Sequence, residues 1–363
     1  MAKILILGDL YPNKVKDFPE IPENDFCVAN LECAITSAEK GIKKDGPSLK
    51  IDKEQIQVLK ELGVNLVGLA NNHILDFGYD GLKDTLSILD KNNIKYAGIS
   101  TGENYYIHNA DDHKFGFYFV SEHQYNNLTS EKVSVNLLEE HRVFEEVKSL
   151  KEKCDSLIVL FHGGKEYYKY PTPVQQLTCY RFVDSGADLV ICQHSHCVGC
   201  KEIYNGSEII YGQGNFAFPY KEIEDFKTGL IIQLELGKDK KLVTSYLPIV
   251  HKEADVIRYA NEEEAKEIIK GFDSSSKHLK EKTSEVLYQE LVDETGIDFL
   301  YRLFNKGKLY VRLDTSKYFK NRMLKRYIKK NQKYILYLYN YFNCEVHREY
   351  IMKILASHIE DFK

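Results

Sequence analysis

No stretch of the 363 residues offers the roughly 18 or more consecutive apolar residues that a membrane span needs. The N-terminal apolar run, Ile4–Leu7, ends at Gly8-Asp9 and is too short for the core of a secretory signal. The expected location is therefore cytoplasmic. Disulfide density is also missing. The eight cysteines (27, 33, 154, 179, 192, 197, 200 and 344) are scattered, which excludes a disulfide scaffold and fits a reducing compartment. Most of them read as small buried apolar residues. Cys197-Val198-Gly199-Cys200 has no second cysteine pair at zinc-site spacing, so a zinc or redox role is set aside. No glycine-rich loop of the Walker or dinucleotide type occurs, which argues against nucleotide hydrolysis by that route. No internal repeat of fixed period is visible.

With only 8 prolines, 43% hydrophobic residues and 28% charged ones, the composition is that of a folded globular protein. A net charge of −5 names no partner. The first 250 residues alternate two textures. Short runs rich in Ile, Val and Leu predict strands at Lys3–Leu7, Phe26–Ala29, Leu66–Leu69, Tyr96–Gly98, Gly116–Val120, Ser156–Phe161, Leu189–Cys192, Ile209–Gly212 and Gly229–Leu236. Helical periodicity between them predicts helices at Lys53–Leu62, Asp80–Asn92, Glu139–Lys151 and Pro173–Ser185. This alternation predicts a layered α/β domain with an at least partly parallel sheet. Past about residue 255 helix patterns dominate, and Gly271–Glu285, rich in Ser, Lys and Glu, reads as a connector. The expected division is 1–255 and a mainly helical 256–363.

Polar residues fall at the ends of the predicted strands. Asp9 follows the first, Asn30 and Glu32 the second, Asn71-Asn72-His73 the third, His162 another, and His194 and His196 a fifth. In α/β sheets the carboxyl ends of strands are where ligands bind. Carboxylates and imidazoles together suit Zn, Mn, Fe or similar divalent ions. A carboxylate such as Glu32 can bridge two ions, and two ions can clamp a phosphoryl group. If His194-Ser195-His196 is extended, both imidazoles lie on one side, each available to a different ion. Singly, each residue is as easily a turn or capping residue; their joint placement points to a metal site.

These residues sit in longer strings: Gly8-Asp9, Asn30-Leu31-Glu32, Asn71-Asn72-His73-Ile74-Leu75-Asp76-Phe77-Gly78, His162-Gly163-Gly164-Lys165-Glu166-Tyr167, His194-Ser195-His196 and Tyr211-Gly212-Gln213-Gly214-Asn215-Phe216. Over about residues 3–250 the chain resembles the CapA (PGA_cap) capsule-synthesis family, a branch of the calcineurin-like metallophosphoesterases. The resemblance implies a four-layer αββα sandwich followed by a C-terminal helical extension. It implies two divalent metal ions (Mn, Zn or Fe) per chain. Asp9, Glu32 and His196 would hold one, and Glu32, Asn72, His162 and His194 the other. His73 would be the general acid, oriented by Asp76, with Asn30, Glu166 and Asn215 as supporting or substrate contacts. The wider superfamily's first motif is Asp-x-His; here Tyr11 stands third, leaving the first ion one ligand poorer. The implied activity is a metal-dependent phosphatase or phosphodiesterase acting on a phosphorylated intermediate of capsule, exopolysaccharide or poly-glutamate synthesis. The alternative is a non-catalytic assembly component with a structural metal.

Residues 301–341 hold twelve Lys or Arg, one acidic residue (Asp314) and eight tyrosines. Leu324, Tyr327, Ile328, Ile335, Leu338 and Phe342 recur there at near-helical spacing. The favoured reading is a packed helix with its lysines in solvent. The alternative is a surface for an anionic polymer or acidic membrane face, with nucleic acid the least favoured partner. Other surface-polymer synthesis proteins are further expected partners.

Overall fold

The computed structural model describes residues 2–13, 15–42, 44, 46–123, 133–218, 223–253, 256–305, 326 and 329–331. They form two compact units, 1–284 and 285–363.

In the first unit the strand Lys3–Leu10 is apolar along almost its whole length because both its faces are covered. Ile4 and Ile6 pack with Ile158 and Leu160, while Leu5 and Leu7 pack with Leu59 and Leu82. Successive side chains of a strand point to opposite faces, so one strand serves two cores. It lies inside an eight-stranded sheet with the order Val256–Tyr259, Leu242–Glu253, Thr228–Leu236, Lys3–Leu10, Phe26–Leu31, Leu66–Gly68, Lys95–Ala97, and Asn215–Ala217 pairs beside the end of Lys3–Leu10. From Lys3–Leu10 to Lys95–Ala97 the strands run parallel. On the other flank they run antiparallel.

The second sheet has six strands in the order Lys201–Tyr204, Ser207–Ile210, Leu189–Gln193, Ser156–His162, His113–Ser121, Tyr105–Ala110. Its four inner strands are parallel, and each edge strand is antiparallel to its neighbour. The two sheets share one core, in which Phe117 and Phe119 meet Val28 and Leu66. They approach so closely at Gly68 that a Cβ there would stand 2.4 Å from Phe119 Cδ1.

The helices Ile56–Glu61 and Gly78–Lys91 bury Leu59, Leu82 and Leu89 on the outer face of the first sheet. The helices Glu140–Lys151 and Pro173–Asp184 cover the second, where Phe182 packs on both Phe144 and Phe161. The layers are therefore α, β, β and α, as the resemblance implies.

Several segments depart from the sequence reading, among them the strands Tyr105–Ala110, Lys201–Tyr204 and Asn215–Ala217. Residues 271–281, expected as a connector, belong to the helix Glu262–Glu281. Asn261 and Glu264 close a capping box at its start. Its Ser, Lys and Glu residues read as loop, yet Phe272, Ser276 and Leu279 make one buried face. Ser276 Oγ accepts from the Lys201 backbone at 2.9 Å. This packing carries the first unit to Ser284, beyond the composition change near 255. The strands Leu242–Glu253 and Val256–Tyr259 were also not expected. Pro248 and the adjacent polar residues Thr244 and Ser245 break the apolar pattern of the first of them.

In the second unit the helix Ser284–Asn305 is described. Most of the basic, tyrosine-rich stretch beyond it lies outside the described residues. No described helix is long and apolar enough to cross a membrane.

Candidate metal centre

The parallel strands of both sheets end at one place. Asp9, Asn30 and Glu32 arrive from the first sheet, and Asn71-Asn72-His73 follow its strand Leu66–Gly68. His162 and His194 arrive from the second sheet. The crossing is tied by the backbone N–H of His194, which donates to Asp9 Oδ2 at 3.0 Å, and by Gln213 Nε2, which donates to Ile6 O at 2.7 Å. Gly214-Asn215-Phe216 runs against the end of the first strand, where a Cβ at Gly8 would meet Gly214 O at 2.3 Å. The glycine preceding Asp9 is thus dictated by backbone contact.

Two groups of ligand-type side chains result: Glu32, His162 and His194, and Asp9, Glu32 and His196. Within each, one potential ligand atom per residue lies within 4.8 Å of the others. Glu32 is common to both. Its Oε1 is 3.6 Å from His162 Nε2 and 3.9 Å from His196 Nε2. Asn72 joins the first group, its Oδ1 standing 2.9 Å from His162 Nε2. All these residues are buried, with Asp9 and Glu32 at 0% exposure.

The His194-Ser195-His196 segment is not extended, contrary to the alternation assumed from sequence. His194 (φ 89°) and His196 (φ 55°) both occupy the left-handed region, which costs a non-glycine residue roughly 1–3 kcal/mol. The turn holds the rings 6.1 Å apart and sends one to each group. His196 is seated by Asn215, whose Oδ1 lies 2.8 Å from its Nδ1, and by Phe218 and Phe226 against its ring. Asn30 is likewise engaged inside the cluster, with Nδ2 2.8 Å from Asp9 Oδ1 and 3.1 Å from His162 Nδ1. Glu166 is half-buried near the Glu122 carboxylate. Tyr11 packs edge-on against Phe218, and its hydroxyl accepts from Asn13 Nδ2 at 2.7 Å.

The electrostatics suit divalent cations. Burial, unaided, would raise the Asp9 carboxyl; the hydrogen bond with His196, the charges of His162 and His196 and the hydrogen bond from Asn30 hold it down at about 2. Burial lowers His162 to about 3 and His194 well below the ordinary imidazole value. An ionised carboxylate beside neutral imidazoles is the protonation state that metal ligation requires. His194 Nδ1 is buried with no hydrogen-bond partner among the described residues, and such an atom is costly unless something binds it. The donor set therefore fits divalent metal ions.

His73 and Asp76 form a pair at 2.6 Å between Nδ1 and Oδ2. Burial lowers the His73 pKa even against the opposing pull of Asp76. Two further residues belong to the site and were not singled out from sequence. Lys44 Nζ donates to Asp76 Oδ1 and lies 3.2 Å from His73 Nδ1. No periodicity marks a loop lysine as buried. Glu122 Oε1 is 3.8 Å from His194 Nε2, and Oε2 accepts from the Gly164 backbone at 3.1 Å. Glu122 directly follows a strand, and the strand-end rule applied there finds it. The seven described cysteines are buried and outside any disulfide.

The chain is 29% identical over 211 residues to the PGA biosynthesis protein CapA of Bacillus subtilis, covering 55% of each chain. It is 27% identical over 248 residues to the capsule biosynthesis protein CapA of Bacillus anthracis, covering 64% of this chain and 59% of that one. The chain thus matches little more than half the length of these relatives. Among solved structures it is similar to the NAD nucleotidase of Haemophilus influenzae (TM-score 0.45, 12% identity, 78% of this chain and 56% of that one). It is also similar to a phosphatase from Mycoplasma pneumoniae (TM-score 0.43, 17% identity, 73% and 96%). The model of the family described as bacterial capsule synthesis protein PGA_cap matches residues 12–220, a span that contains Glu32, Asn72, His73, His162, His194, His196 and Asn215 and exceeds half the chain, and the chain belongs to that family.

Proposed function

We propose that this protein is a metal-dependent phosphoester hydrolase of surface-polymer synthesis. The observation that carries this reading is the pair of ligand groups joined by Glu32 with the hydrogen-bonded His73–Asp76 pair beside them. Asp9, Glu32 and His196 would hold one ion, and Glu32, Asn72, His162 and His194 a second. Bound divalent ions, with Mn, Zn and Fe the candidates, supply Lewis acidity toward phosphoryl oxygens and an activated water.

The chain's own residues do the rest. Asp76 accepts from His73 Nδ1 and holds the ring, so that Nε2 takes up a proton from solvent before turnover and delivers it to the leaving oxygen as its bond to phosphorus breaks. The oxygen from water becomes the new bond to phosphorus. Its released proton passes to solvent, and His73 recovers its own before the next turnover. Asn30 and Asn215 keep Asp9, His162 and His196 in place. The names of the Bacillus relatives support a role in PGA or capsule biosynthesis; the substrate proposed for it is a phosphorylated or anionic intermediate of that polymer, with other synthesis proteins as partners. The basic stretch 301–341 is the candidate contact for an anionic polymer or membrane face.

A second reading, a non-catalytic assembly component with a structural metal, is favoured by one observation. Tyr11 stands where the superfamily motif has histidine, and its hydroxyl is engaged with Asn13. Metal analysis of the purified protein, paired with turnover of p-nitrophenyl phosphate and bis-p-nitrophenyl phosphate under added Mn, Zn, Fe and Mg, separates the two. Metal near two per chain with metal-dependent turnover supports the hydrolase. Metal of one per chain or less, with no turnover under any ion, overturns it in favour of assembly.

A further inference from the structure

Lys44 is a buried cation in a loop. Its side chain and that of Asp76 are each 1% exposed. Burying an ammonium costs several kcal/mol unless it is paired, and a buried ion pair is seldom more stable than apolar residues of the same volume. Stability is therefore a poor reason for a lysine here.

The contacts of Asp76 supply a better one. Its Oδ1 accepts from Lys44 Nζ. Its Oδ2 accepts from His73 Nδ1 at 2.6 Å and from the Leu49 backbone at 2.7 Å. Its backbone oxygen accepts from Ile42 N at 2.8 Å. The loop from Ile42 to Leu49 is thus fastened to Asp76 at three points, one of them Lys44. An ionised carboxylate only accepts and an ammonium only donates. The short contact at Oδ2 therefore places a proton on His73 Nδ1. Lys44 Nζ, 3.2 Å from that nitrogen, is a second donor converging on the same carboxylate. With Nδ1 committed to Asp76, Nε2 is the ring nitrogen left for chemistry.

We propose that Lys44 is a positioning residue, whose ammonium holds the Asp76 carboxylate between itself and His73 and so fixes the imidazole with its proton on Nδ1 and its Nε2 presented for reaction. The inference rests on the proposed hydrolase reading for its consequence in turnover. Its geometric content, the state of the His73 ring, can be read without turnover.

The test uses the full chain loaded with zinc, labelled with 15N-histidine, with His73 resonances assigned by their loss in His73→Gln. Wild type should show a single Nδ1–H tautomer. Lys44→Met should replace that pattern with averaged nitrogen shifts and lower turnover roughly 10-fold or more, at unchanged zinc content. Lys44→Arg, which keeps charge and donors, should restore most of both. Should Lys44→Met fail to fold, Lys44→Gln is read in its place by the same criteria. Wild-type His73 signals in the uncharged variant, or no Nδ1–H tautomer in wild type, overturns the proposal. If wild type shows no turnover under any ion while the uncharged variant still displaces the His73 signals, the hydrolase reading fails and the positioning role stands.

Discussion

His196 Nδ1 lies 2.8 Å from Asn215 Oδ1, which leaves Nε2 as the nitrogen of that ring facing Glu32, 3.9 Å from its Oε1. A hydrogen bond at one imidazole nitrogen selects which nitrogen is available to a metal. Asn215→Leu is therefore expected to weaken one of two metal-binding steps by about 10–100-fold and to leave the other near wild type. Calorimetric titration of the metal-free protein with zinc reads this directly. Two steps weakened equally would place Asn215 outside this role.

His73 lies beside the ligand groups, hydrogen-bonded through its Nδ1 to Asp76. His73→Gln should lower phosphoester turnover by roughly 100-fold or more while metal content stays at the wild-type level. Elemental analysis and steady-state kinetics on the same preparation check both halves. Wild-type turnover would remove His73 from the chemistry.

His194 and Glu32 differ from His73 in that both lie in a ligand group. His194→Ala should lose metal and turnover together, and Glu32→Gln should affect both metal-binding steps because Glu32 is common to the two groups. A Glu32→Gln protein that lost a single step would contradict the shared role.

His251 offers a test in acid. Burial lowers its pKa from 6.5 to about 4, against opposing backbone hydrogen bonds. Between those values the unfolded chain binds the proton and the folded chain does not, so stability rises with pH across the window. The contribution is complete above 6.5, falls as pH drops, and is lost by about 4, a change of roughly 3 kcal/mol. Urea unfolding of wild type and His251→Gln at pH 7 and pH 5 should show the variant losing less stability on acidification. Parallel losses would show that His251 is not the group responsible.

How much of this was legible in sequence varies with the kind of signal. Asp9, Glu32, His162 and His194 could be found because a parallel strand announces itself by its apolar run, and the residue just past its carboxyl end faces the ligand side. The four helices of the sandwich could be found because Leu82, Leu89, Val143, Val147 and their like recur at helical spacing. Lys44 could not, since its burial depends on Asp76, 32 positions away, and a loop lysine is ordinarily solvated. The geometry of His194 and His196 was hidden because only the folded backbone reveals two positive φ angles. Helix Glu262–Glu281 was hidden by a charged exposed face that drowned a narrow buried one, Phe272, Ser276 and Leu279.

The backbone bond from His194 to Asp9 spans 185 positions of chain. Neither ligand group can exist until both sheets have formed and docked, and the unfolded polypeptide has no comparable cluster to offer. An ion held there binds only the finished fold. With metal bound there, thermal stability would rise with free metal activity as RT ln(1 + [M]/Kd), and a chelator would remove that increment.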